Sequence, residues 1–347
     1  MKNIQEGFWR VITEAKGNLR FWVRFSVIVS FLVAFVWLYV LHPVSFGATW
    51  QGRSYYLFFL WLAVLEWVWE GSSDTQLTGK SRLRVVVFAV TLTLPMVYVF
   101  VSNYLGLNAA VVNYFLSALY GGDRGYLWWA EQMPLTIEYL VFGGLWLVIN
   151  WVAYGRRKLG EFSISASLLV IVGVVYLMDN LYPNGGFLVF QFPVLATATL
   201  ASLVLNILGY ATVVTPVTSG RYGNMPQLTV IQPRVSFNIA WPCAGVESLL
   251  IYTVTILLFL KKTGIPFKRK AIYFALGGVV TYFINILRIV SIYLIAINGG
   301  NVDAFHNYYG PLYSIIWIIT YPLIIIGIQN LQRKKGYTQG KSTEFTG

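Results

Sequence analysis

Apolar runs close to the roughly 20 residues that a helix needs to cross a bilayer recur along the whole chain and limit what it can fold into. They cover 23–41, 55–69, 85–105, 135–154, 162–181, 194–214, 246–260, 272–297 and 312–331. Only 11% of the residues are charged against 57% hydrophobic, too little charge to coat a soluble chain of 347 residues. The predicted fold is an all-α polytopic integral membrane protein of about eight or nine hydrophobic helices. It reads as a single helical domain over 1–335, followed by a disordered cytoplasmic tail over 336–347. Tyr and Trp gather at the ends of the runs, among them Trp50, Tyr55, Trp128, Trp129, Tyr154, Tyr182 and Trp241, as an interfacial belt requires.

The net charge of +12 does not point to nucleic acid. Its carriers fall in short loops between apolar runs, where cytoplasmic anchoring accounts for them. Lys80, Arg82 and Arg84, then Arg156, Arg157 and Lys158, then Lys261, Lys262, Lys268, Arg269 and Lys270 mark inside loops. The basic N-terminal segment and Arg333, Lys334 and Lys335 put both termini in the cytoplasm. No cleavable leader is visible, and the first run reads as a signal anchor. Counting back from the cluster at 261–270 places residues 243 and 306 at the extracytoplasmic face. The count closes only if one of the runs 162–181 and 194–214 is broken, re-entrant or lies along the surface. Pro183, Gly185, Gly186, Gln191, Pro193 and Asn206 make that region a poor lipid-facing span.

Between Pro216 and Pro242 the period changes to alternation. Gln227-Leu228-Thr229-Val230-Ile231 and Arg234-Val235-Ser236-Phe237-Asn238-Ile239 read as two short strands, a β-hairpin-like outer loop with Gln232-Pro233 at its turn. A second outer segment, 108–134, has helical character over 109–120 and reads as an interfacial helix.

The chain has one cysteine and two histidines. The cysteine stands in Trp241-Pro242-Cys243-Ala244-Gly245, at the entry of an apolar run. A lone thiol in apolar surroundings is commonly a small buried hydrophobe. Here Pro242 marks a helix start, and a thiol in the first turn gains from the helix dipole. Gly245 permits close approach, while Glu247 would raise the thiol pKa. Arg288 lies inside a run, with Asn285 and Ser291 at spacings of three forming one polar stripe. The competing account is an arginine snorkelling from a helix end; an arginine at membrane depth is otherwise functional by default. His306 precedes the last run, in Phe305-His306-Asn307-Tyr308-Tyr309-Gly310, and is either an ordinary loop residue or a general base. His42 has no comparable setting. Two histidines and one cysteine at scattered positions cannot build a typical zinc site, so neither metal nor cofactor is expected.

The ordered set Cys243-Ala244-Gly245, Asn285-Ile286-Leu287-Arg288 and His306 followed by Gly310 resembles the exosortase/archaeosortase family. The resemblance covers about 193–317. It implies a membrane-embedded cysteine transpeptidase that cleaves C-terminal sorting signals (a short motif, a hydrophobic helix and a basic tail) and transfers the new C-terminus to an acceptor, a membrane lipid in the simplest case. Carried over, Cys243 is the nucleophile, Arg288 the electrostatic stabiliser and His306 the base. Asn285, Gly245, Glu247 and Gly310 fall to substrate binding. Glu247 departs from the general pattern. Two readings from other classes stand beside it: a transporter or channel using Glu66, Glu138, Asp179 and Arg288, and a membrane acyl- or glycan-transferase. The acids at 66, 138 and 179, with Asn150 and Asn206, otherwise read as inter-helix hydrogen-bonding groups. Glu70 and Asp74 are candidates for meeting a basic tail.

Overall fold

The computed structural model describes residues 19–48, 50–69, 82–183, 187–217, 225–261, 263–306 and 310–343. The expectations for the N-terminal segment, for Glu70, Asp74 and Lys80, for Gly185 and Gly186 and for Asn307 to Tyr309 lie outside them. Among the described residues the fold is helical with one small sheet, and five helices are long and apolar enough to cross a membrane. Its contacts fall into two compact units, Met1–Phe187 and Leu188–Gly347.

In the first unit the helices are α1 (Leu19–Leu41), α2 (Ser54–Trp69), α3 (Arg82–Tyr104), α4 (Leu107–Tyr120), α5 (Leu127–Tyr154) and α6 (Ser163–Leu181). An aromatic core joins α1, α2 and α5 through Phe31, Phe35, Tyr56, Phe59, Phe142 and Trp146, with the Phe35 and Tyr56 rings stacked 4.3 Å apart. Gly143 and Gly173 let α5 and α6 approach closely. A Cβ on either would come within 2.8 Å of Val170 or Leu140. The small-residue contact suits lipid, where close van der Waals packing drives helix association.

The buried carboxylates each meet protein donors, more often at helix ends than between helix bodies. Glu66 accepts from the Ile164 and Ser165 amides and so caps the start of α6. Arg53, just before α2, grips Glu138 with two hydrogen bonds of 2.7 and 2.8 Å, and the Tyr56 hydroxyl adds a third at 2.8 Å. Gln51 donates to Asp179 and to Asn180. Asn150, expected to bridge helices, donates to Trp146 O of its own helix instead. The α4 helix confirms helical structure at 109–120. At 14 residues it is too short to span.

The second unit holds α7 (Leu188–Ile207), strands β1 (Thr212–Val217), β2 (Met225–Val230) and β3 (Val235–Asn238), and helices α8 (Val246–Lys261), α9 (Phe267–Ile297) and α10 (Gly310–Thr343). The three strands form one antiparallel sheet in chain order. The expected hairpin is therefore two-thirds of the element. β1 overlaps the end of the expected span 194–214, because Val213 and Val214 extend the apolar run. The run breaks at Gly209, whose φ of +92° turns the chain out of the helix. Gly209 N donates to Asn206 O and Tyr210 N to Leu205 O, the paired bonds of a Schellman end. Asn206 then accepts from the Thr212 amide and hydroxyl, which ties the helix end to the strand. α7 is 20 residues long and carries Pro193 inside it.

Tyr293 of α9 holds the sheet down, donating to Leu228 O at 2.6 Å. Deeper in the unit, Tyr252, Ile256 and Leu260 of α8 pack against Ile318, Tyr321 and Ile325 of α10. Helix α10 continues to Thr343, past the expected span end at 331.

Candidate active site

β3 ends at Asn238, and the chain then makes a single 3-10 turn, Trp241–Ala244, which carries Cys243. Gly245 follows at φ +89°, a left-handed conformation that separates this turn from α8. Cys243 is thus not in the first turn of α8, and the expected help from that helix's dipole is lost. The thiol lies outside the spanning helices, and burial pushes its pKa up. Arg288 pulls it back down in part, and Glu247 adds to the rise. Glu247 acts in the direction its position implied.

Asn285 of α9 is buried and donates its Nδ2 to Cys243 O at 3.0 Å. The same side chain packs on Gly245, where a Cβ would sit 3.1–3.3 Å from its Nδ2, Cγ and Cβ atoms. One N–H of the amide that the sequence assigns to substrate goes to the backbone of the cysteine turn. Three residues on, Arg288 Nη2 donates to His306 O at 3.1 Å. Arg288 Nε is buried with no hydrogen-bond partner among the described residues. Ser291, the last member of the stripe, bonds Leu287 O within its own helix.

His306 lies between α9 and α10, beyond the helical turn Val302–Ala304. Burial lowers its pKa, the Arg288 charge lowers it further, and Asp303 opposes both. The imidazole is therefore neutral at pH 7 and able to accept a proton. Gly310 begins α10. The Arg288 charge lowers the pKa of both the thiol and the imidazole, and α9 carries both the Asn285 bond to Cys243 O and the Arg288 bond to His306 O. A thiol and a neutral imidazole that both feel one fixed cation are the groups from which nucleophilic catalysis is built.

Two residues at the site escaped the sequence reading. Thr197 of α7 bonds Ala244 O at 3.4 Å and the Tyr282 hydroxyl at 2.8 Å, and Tyr282 also reaches Pro193 O at 3.2 Å. Tyr282 stands three residues before Asn285, so the polar stripe on α9 begins one turn earlier than Asn285. That spacing was a usable signal; nothing marked Thr197. Among the described residues no group of three or more His, Cys, Asp or Glu is placed to hold a metal.

A multi-pass helical membrane protein with a cysteine turn, an intrahelical arginine and a loop histidine defines the class. The chain belongs to the transmembrane exosortase family, which matches residues 50–323. This is a family of membrane-embedded sorting enzymes with cysteine transpeptidase chemistry. No curated protein and no solved structure matches the chain.

Proposed function

We propose that this protein is a cysteine transpeptidase that removes the C-terminal sorting signal of secreted proteins at the extracytoplasmic face and passes the new C-terminus to a lipid acceptor. The observation that carries the reading is that α9 binds both segments, Asn285 through the Cys243 carbonyl and Arg288, one turn on, through the His306 carbonyl. A substrate whose signal includes its own membrane helix delivers the scissile peptide at a fixed depth. His306 takes the thiol proton as Cys243 Sγ attacks the carbonyl carbon. The remaining Arg288 donors stabilise the oxyanion. The C–N bond then breaks, His306 returns the proton to the leaving amine, and a thioester remains. The acceptor's nucleophile attacks that thioester, the C–S bond breaks, and the thiol is restored. Low water access favours transfer over hydrolysis. Glu247, Gly245 and Gly310 line the approach to the thiol in this reading.

The orientation follows from the basic loops: both termini cytoplasmic and the cysteine turn outside. The test is co-expression with a secreted reporter ending in a short motif, a hydrophobic helix and a basic tail. Processing, followed by gel shift and mass spectrometry, is expected with the native chain and absent with Cys243→Ala. Continued processing by a folded Cys243→Ala protein would sink the proposal.

A further inference from the structure

The cysteine turn is held by a pair of consecutive backbone carbonyls. Asn285 binds that of Cys243, and Thr197, backed by Tyr282, binds that of Ala244. Asn285 and Tyr282 lie one helical turn apart on α9, and Arg288 stands one turn beyond Asn285 on the same face. The distance from Arg288 to the thiol is therefore set through Asn285. One end of that linkage is rigid helix, and the other is a hydrogen bond to the cysteine's own backbone.

The local chemistry makes Asn285 the main tie. Its bond is 3.0 Å long and its side chain is 1% exposed. Its amide lies on Gly245, the one position in the turn where the absence of a Cβ gives it room. The hydroxyls of Thr197 and Tyr282 have two protons between them. Their contacts to each other, to Ala244 O and to Pro193 O number three, so the contacts cannot all be made at once. That pair is a weaker support.

We propose that Asn285 is a positioning residue, assisted by Tyr282 and Thr197, that fixes the Cys243 turn at a set distance from Arg288. This rests on the reading of Cys243 as the nucleophile. It assigns Asn285 to the enzyme's own backbone and not to the substrate. Without the amide the turn is tied to α9 less closely, the guanidinium stabilises the thiolate less, and transition-state geometry suffers more than substrate binding.

The experiment uses the full chain in detergent or membranes and needs no substrate. Cys243, the only thiol in the chain, is titrated with iodoacetamide across pH in the native chain, Asn285→Leu, Asn285→Ala and Tyr282→Phe, with thermal melting as the folding control. The alkylation midpoint is expected to rise in both Asn285 variants and by less in Tyr282→Phe. In an Arg288→Gln background, Asn285→Leu should shift it no further. With a processed reporter, kcat is expected to fall on the order of 100-fold with little change in KM. A midpoint that is unchanged or lower in folded variants overturns the proposal, as does an equal shift without Arg288. If neither Asn285 variant folds, Tyr282→Phe decides by the same midpoint. Normal processing by Cys243→Ala would overturn the enzyme reading while leaving the alkylation result to judge Asn285 by itself.

Discussion

Arg288 reaches across from α9 to donate its Nη2 to the backbone carbonyl of His306 at 3.1 Å. The bond fixes the segment before α10 against the helix that also supports the cysteine turn. It also holds a permanent positive charge near an imidazole that must stay neutral to accept a proton. A lysine offers a point charge without the planar fork. Arg288→Lys is therefore expected to lose the carbonyl bond and the oxyanion geometry together. Processing should drop by about 100- to 1000-fold, the usual cost of removing an oxyanion donor. The measurement is reporter conversion at matched expression; a loss below tenfold would argue that the guanidinium serves packing alone.

The thiol and the imidazole predict the pH response. Burial raises the Cys243 pKa, Arg288 opposes the rise and Glu247 adds to it. Alkylation is expected to climb about tenfold per pH unit below that value, with a midpoint above that of a free thiol. Glu247→Gln should move the midpoint down and Arg288→Gln should move it up. Shifts of the opposite sign would show that other charges govern the site.

His306 is displaced the other way, so its loss of base function on acidification begins below the ordinary imidazole range. The acid limb of processing should lie there. Asp303→Asn removes the charge that favours protonation and should carry the limb to still lower pH. A limb at the ordinary histidine value would contradict the burial of this ring.

Gly245→Ala places a Cβ at φ +89° and 3.1–3.3 Å from the Asn285 side chain. Left-handed backbone costs an L-residue roughly 1–2 kcal/mol, and the crowding falls on the group that holds Cys243. Lower thermal stability and reduced processing are expected together. Retention of both would mean that the turn can relax away from α9.

In the first unit, Arg53 and Glu138 form a buried bidentate pair. Glu138→Ala leaves the guanidinium buried without its carboxylate and is expected to cost about 3–5 kcal/mol. The double variant Arg53→Met, Glu138→Leu should recover much of that, since no uncompensated charge remains. Detergent melting of the three proteins reads the difference; a double variant no more stable than Glu138→Ala would count against a direct ion pair.

The sequence by itself determined the class, because apolar runs near the length of a bilayer leave a chain few folds other than helices. It also singled out Arg288 as a candidate, since a charge at membrane depth is costly enough to stand out, and Cys243 and His306 because the chain has one cysteine and two histidines. The two β2–β3 strands were legible from alternation, but β1 was hidden in a run that reads equally well as helix. Only the Gly209 turn and the Asn206 bonds to Thr212 decide against it. Tertiary structure alone put Cys243 in its own turn instead of in α8. It gave Asn285 to the Cys243 carbonyl, brought in Thr197 from a distant helix, and paired Arg53 with Glu138. Periodicity and composition report what each segment buries, whereas these pairings depend on which buried donor meets which acceptor once the segments pack.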